Sequence, residues 1–168
     1  MKTILVLAMH GAPPNDFPKN ELSELMGLHH RMEHAFGAEQ VAFQRRYTEL
    51  NNMVYSWPRT PRNDPFYAGS TALAEQLEIA SGLPVVLGFN EFCAPSMDEA
   101  LEQAASRAEV VLVVTPMMTR GGEHSEQDIP ASIRRAQERH LDVKIKYVWP
   151  FDTLEVARFL AEQVLRFQ

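Results

Sequence analysis

The chain has a single cysteine, Cys93, so no internal disulfide can staple the fold, and a reducing cytoplasm is the expected setting. No apolar run approaches the roughly 20 residues needed to cross a bilayer. The first such run, Thr3 to Met9, is short, follows one lysine and precedes no small-residue cleavage site, so it does not read as a signal peptide. Positive charge is also scarce. Sixteen Lys and Arg against 22 Asp and Glu leave a net charge of −6, which argues against a generic nucleic-acid binder. A P-loop, G-x-G-x-x-G, G-x-S-x-G, C-x-x-C and H-E-x-x-H are all missing. ATPase, Rossmann dehydrogenase, serine hydrolase, thiol-redox and zincin readings therefore lose their usual support. There is no internal repeat and no low-complexity tract. The 168 residues suit one domain, 1–168, that buries roughly two-thirds of its unfolded surface.

What is present is an alternation of strands and helices. Thr3–Met9, Pro84–Phe89 and Val110–Thr115 are continuous apolar runs, the pattern of strands buried on both faces of a parallel sheet. Val143–Val148 alternates polar and apolar residues, as a strand nearer an edge does. Ser96 with Glu99 three positions on reads as a capping box opening a helix to about Ala108. Asp128-Ile-Pro130 opens another, to about His140, with Asp128 as its cap. Asp152 or Thr153 begins the last helix, whose Leu154, Ala157, Leu160, Ala161, Val164 and Leu165 form one stripe. The class is α/β, with a parallel sheet of about four strands and helices on both faces. Between the first two strands, about 20–66 reads as a helical insert carrying helices near Glu21–Phe36 and Ala38–Asn52. A Pro/Arg-rich link and a helix near Ala68–Ser81 follow.

Parallel α/β sheets bind ligands beyond the carboxyl ends of their strands. The first strand ends at His10-Gly11, the second at Glu91, and the third leads to Gly121-Gly122-Glu123-His124. Singly, each histidine can be a structural cap and Glu91 a solvated carboxylate. Their shared edge favours a metal-binding or proton-transfer site, with two neutral imidazoles to hold a borderline divalent metal and a carboxylate to take protons. A competing group, His29, His30 and His34, includes an i, i+4 pair but reads as a solvated helix face. Met117 and Met118 read as core or pocket lining rather than metal ligands.

Gly121-Gly-Glu-His-Ser-Glu-Gln-Asp-Ile-Pro130 resembles the GGxHxxxDIP segment of the small class II tetrapyrrole chelatases, the sirohydrochlorin cobaltochelatase/ferrochelatase family. Ile4–Gly11 is similar to that family's first strand and His-Gly pair. Phe89–Ser96 followed by Glu99-Ala-Leu is similar to its F-x-E, P-S and E-A-L stretch. The likeness covers Lys2–Asn15 and about Leu83–Gln168. The chain departs from the pattern after Gly11, where Ala-Pro-Pro-Asn-Asp16 replaces the usual Ser-Arg-Asp, and again in the long insert.

The resemblance implies a flavodoxin-like half and ATP-independent insertion of Co²⁺, Fe²⁺ or Ni²⁺ into sirohydrochlorin or a related tetrapyrrole. No cofactor beyond the substrate metal is implied. It puts His10 and His124 at the metal and Glu91 at the acidic position, and with one set of strand-end motifs it implies a homodimer, the alternative being that the insert forms the second wall of the site within one chain. An acidic chain needs local cations for a ring bearing many carboxylates. The expected substrate contacts are Arg120, Gly121, Gly122 and Met118, with Arg59 and Arg62 from the link. Two other readings stand beside this one: a carrier of metal or tetrapyrrole without turnover, and an unrelated α/β hydrolase or transferase using its histidines as acid–base groups.

Overall fold

The computed structural model describes residues 2–168, leaving aside the side chains of His29, His30 and Glu33. The His29, His30 and His34 group therefore lies in part outside the described residues. The elements run β1 (Thr3–Met9), α1 (Lys19–His34), α2 (Ala38–Tyr55), α3 (Pro65–Ser81), β2 (Val85–Phe89) and α4 (Met97–Ala105). After these come β3 (Val110–Val114), a π-type turn (His124–Asp128), α5 (Ile129–Arg139), β4 (Lys144–Tyr147) and α6 (Thr153–Leu165). All strands pair in parallel, in the order β2-β1-β3-β4. The most apolar run thus lies at the centre: Ile4 to Met9 are all buried. β4, at the edge, keeps Lys144 and Lys146 exposed, as its alternating sequence requires.

One face of the sheet packs on α4 and α5. Ile4, Val6, Val111 and Val113 meet Met97, Leu101, Ala104, Ile129 and Ala136 there. Gly88 makes the close approach possible, because a Cβ at that position would sit 2.7 Å from the Cβ of Ala100. On the other face α3 covers β2 and β1 through Leu7, Met9 and Phe89 with Tyr67, Ala74 and Leu77. The α1–α2 hairpin builds its own cluster from Phe17, Leu25, Leu28, Leu50 and Val54, joined by Trp57 and Phe92. No helix among the described residues is long and apolar enough to cross a membrane.

The Ser96 capping box forms as expected. Three features differ from the sequence reading. α3 begins three residues early, at Pro65, because Asp64 caps it by accepting the Tyr67 N–H and proline suits the first helical position. Asp128 is not a cap: its backbone is already helical, continuous with the π-type turn, and its carboxylate is taken by His124. The apolar stripe of α6 forms but is left largely open to solvent, and no residue of α6 is buried.

Candidate metal site

The three strand-end residues converge. His10 directly follows β1, and its Nδ1 lies 2.8 Å from the Gly11 carbonyl oxygen and 3.1 Å from Glu91 Oε1. His124 Nε2 lies 3.6 Å from the same Glu91 oxygen. The imidazoles meet edge to face, with centroids 4.4 Å apart. One donor atom from each residue falls within 4.8 Å of the others, the one such group of three among the described residues. Donors bound about 2.1 Å from a tetrahedral ion lie about 3.4 Å from one another. The His124 nitrogen–carboxylate separation is close to that value, while His10 Nδ1 faces the Gly11 carbonyl and so carries the proton, leaving Nε2 as its lone-pair nitrogen. The side chains are 48% (His10), 33% (Glu91) and 22% (His124) exposed, so the site is open on one side, as exchange of a bound metal requires.

Backbone geometry brings His10 and Glu91 together. The Asn90 N–H donates to the Met9 carbonyl at 2.9 Å and the Glu91 N–H to the His10 carbonyl at 3.0 Å, so the two loops run on as an extension of the sheet. Gly11 has φ +105°, and a Cβ there would lie 1.9 Å from the Glu91 carbonyl oxygen. No other residue fits this junction without moving the Glu91 loop.

Arg59 locks the same junction from below. Its guanidinium donates to the carbonyl oxygens of Ala12 (2.7 Å), Val54 (2.9 Å) and Phe92, and to the Asp64 carboxylate. Asp64 is 1% exposed and the Arg59 side chain 9%. Four segments are tied by one cation: both site loops, the end of α2 and the cap of α3. Cys93 is buried beside this lock, with Sγ 3.5 Å from the Ala12 carbonyl oxygen, and burial raises its thiol pKa. Arg59 therefore corrects its expected place among the substrate contacts. It points inward because the buried Asp64 needs a charged partner; both terminal guanidinium nitrogens are committed, while Nε is buried without a partner.

His124 is held by its own neighbourhood. The π-type turn leaves it one helical turn before Asp128, whose Oδ2 lies 2.6 Å from His124 Nδ1. A carboxylate there fixes the proton on Nδ1 and leaves the Nε2 lone pair facing Glu91 and His10. Asp128 is the site residue that sequence reasoning missed, although its i, i+4 spacing from His124 was a usable signal. The Tyr147 hydroxyl donates to the Ser125 carbonyl in this turn at 3.0 Å, and burial pushes the phenol up to about 12.

The remaining expected contacts lie around this turn or apart from it. Gly121 turns with φ 90°, and its N–H donates to Glu126; the Gly122 carbonyl accepts from Ser125 and from the Glu126 N–H. Arg120 is exposed and pairs with Glu126 at 2.7 Å, holding that carboxyl below the usual range. Met118 is half-buried beyond β3, while Met117 packs on the core. Arg62 is exposed on a surface depression that it shares with Asp16, Trp57 and Asn63.

Among solved structures, the chain is similar to the sirohydrochlorin chelatase SirB from Bacillus subtilis subspecies spizizenii in complex with cobalt, at 17% identity and TM-score 0.44. That likeness covers 89% of this chain, which spans only 44% of the SirB chain. It is also similar to a putative cobalamin (vitamin B12) biosynthesis CbiX protein from Marinobacter aquaeolei VT8, at 18% identity and TM-score 0.46, over 98% of each chain. No curated protein matches significantly. The CbiX family model matches residues 62–166, which include Glu91, His124 and Asp128 and exclude His10 and the α1–α2 hairpin. The matched span is more than half of the sequence, and the chain belongs to the CbiX family.

Proposed function

We propose that this protein inserts a divalent metal, Co²⁺ or alternatively Fe²⁺ or Ni²⁺, into sirohydrochlorin or a related tetrapyrrole, without ATP, in cobalamin- or siroheme-type biosynthesis. The observation that carries the reading is the His10–Glu91–His124 cluster at the carboxyl edge of a parallel sheet. Membership of the CbiX family supports it. The metal is a substrate, and no resident cofactor enters the proposal. The one cysteine, buried and free, suits a cytoplasmic enzyme.

The reaction exchanges two pyrrole N–H protons for one M²⁺. His10 and His124 hold the ion by neutral imidazole nitrogens, which bind borderline metals and release them more readily than thiolates would. Asp128 keeps His124 oriented, with its proton on Nδ1. Glu91 lies within reach of both imidazoles and accepts protons as the ring nitrogens take the metal. Arg120 lies in the loop leading to His124. It swings from Glu126 to a peripheral carboxylate of the ring, and Gly121, Gly122 and Met118 offer the surface beside it. Arg62 is the second proposed cation for the ring's carboxylates.

The test is a spectrophotometric assay with sirohydrochlorin and each metal in turn. Product formation above the spontaneous rate, abolished in His124→Ala and in His10→Ala, is the expected result. Binding of metal or ring without rate enhancement would overturn the reading and leave a carrier.

A further inference from the structure

β4, the one strand that contributes nothing to the candidate metal site, ends in an aromatic run. Tyr147 is its last residue, and Trp149 and Phe151 follow at every second position. Tyr147 and Trp149 stack with centroids 6.3 Å apart and planes 28° from parallel, and Phe151 meets Trp149 edge to face at 5.6 Å. Both separations lie within the roughly 4.5–7 Å range of attractive aromatic pairs. Tyr147 packs against the core beneath α4 and α5. Trp149 and Phe151 are half-buried and join none of the core clusters among the described residues. Core packing therefore does not account for them.

Their place in the fold gives them a ligand. All strands are parallel, so the run after Tyr147 leaves the sheet at the same carboxyl edge as His10, Glu91 and His124. Val6, Val113 and Tyr147 stand in one row across β1, β3 and β4. The pairing continues past that row, where the Val148 N–H donates to the Val113 carbonyl at 2.8 Å. Ala8 and His10 come two and four residues after Val6, as Trp149 and Phe151 come two and four after Tyr147. Only β3 separates β1 from β4, and two strand spacings amount to about 10 Å. Tyr147 joins the two regions directly, since its hydroxyl donates to the carbonyl of Ser125, the neighbour of His124. The aromatic run is thus braced on the turn that carries a metal-holding imidazole.

We propose that Trp149, seated on Tyr147 and flanked by Phe151, is the stacking wall for the flat ring of the substrate. The inference rests on the reading of that substrate as a tetrapyrrole. Such a ring is a broad π system, and only its central nitrogens meet the metal. With its centre at the two histidines, its rim and acid side chains extend sideways on the order of one to two strand spacings. The histidines and Glu91 serve the metal and the protons, and Arg120 and Arg62 serve the carboxylates. None of these groups covers the π face. A half-buried indole supplies that contact, by offset stacking or by meeting the ring edge to face. Tyr147 and Phe151 already hold the indole in place, so binding costs little further side-chain entropy.

Equilibrium binding of metal-free sirohydrochlorin to the full chain, followed by the absorption of the ring, tests this without turnover. Trp149→Leu should weaken ring binding about tenfold, while Trp149→Phe, which keeps an aromatic face, should stay within about threefold of wild type. Co²⁺ affinity and the denaturant midpoint should match wild type in both variants, which a merely structural loss would not allow. Unchanged ring binding in Trp149→Leu overturns the proposal. So does a Trp149→Phe variant as weak as Trp149→Leu, since stacking would then not be the cause. The proposal and the reaction fail separately. A wild type that binds the ring but inserts no metal removes the reaction and leaves the wall in place. Metal insertion with one KM for the ring in wild type and Trp149→Leu removes the wall and leaves the reaction.

Discussion

The two halves of the candidate site are built in opposite ways. His10 and Glu91 are held by long-range structure: strand-like pairing of their loops, a glycine that admits the Glu91 carbonyl, and Arg59 reaching up from the link after α2. His124 is held mostly by residues close in sequence, with Asp128 four positions on, Gly121 and Gly122 before it, and Arg120 and Glu126 tied across the turn. From afar, Tyr147 braces its turn by donating to the Ser125 carbonyl. A metal site assembled this way ties one half to global stability and leaves the other free to adjust locally when the ion arrives or leaves.

The largest expected effect comes from breaking the long-range half. Asp64→Ala strands the buried Arg59 charge, and losing one partner of a buried pair costs about 3–5 kcal/mol. Denaturant unfolding should show that loss, with metal affinity falling in parallel as the His10 and Glu91 loops lose their brace. A change below about 1 kcal/mol would show that the lock is not needed.

The local half should fail differently. Asp128→Asn should leave stability nearly unchanged and weaken metal binding about 10–100-fold, the usual cost of removing the carboxylate behind a ligating histidine. Equal affinity in calorimetric titrations of wild type and variant would remove Asp128 from the site.

Tyr147 gives a smaller effect with a definite sign. Its folded pKa is about 12, above the ordinary phenol value of about 10. Its stabilising contribution is therefore complete below about pH 10 and lost as pH rises through about 12. Tyr147→Phe should cost about 1 kcal/mol at neutral pH and flatten this alkaline decline. A decline as steep as that of wild type would assign the alkaline transition to other groups. The smallest effect concerns the exposed Arg120. Its change to Ala should raise KM for the tetrapyrrole and weaken the salt dependence of KM, with kcat little changed. An unaltered KM would exclude it from substrate binding.

The sequence made the sheet legible because β1, β2 and β3 are unbroken apolar runs, the pattern of strands in a parallel sheet covered by helices. It also marked His10, Glu91 and His124, since strand ends in such a sheet share an edge. The Arg59 lock was hidden because its partners, Ala12, Val54 and Phe92, contribute backbone carbonyls that carry no side-chain signature. Asp128 was misread for a related reason. Asp before Ile-Pro is a good helix cap, and the π-type turn that turns its carboxylate to His124 cannot be read from periodicity. The α6 stripe was visible, but an apolar stripe does not say which surface covers it, and here no residue of α6 is buried.

The central claim is that His10 and His124 hold one divalent ion together, with Glu91 beside them as the proton acceptor. Titration of the pure protein with Co²⁺, followed by cobalt absorption, tests it most directly. The account predicts one equivalent per chain, with affinity at least about tenfold weaker in both His10→Ala and His124→Ala. Glu91→Gln should weaken binding less than it slows turnover, and His140→Ala, whose imidazole pairs with Glu102 on α4, should bind like wild type. Unchanged stoichiometry and affinity in His124→Ala would contradict the account and place the metal elsewhere.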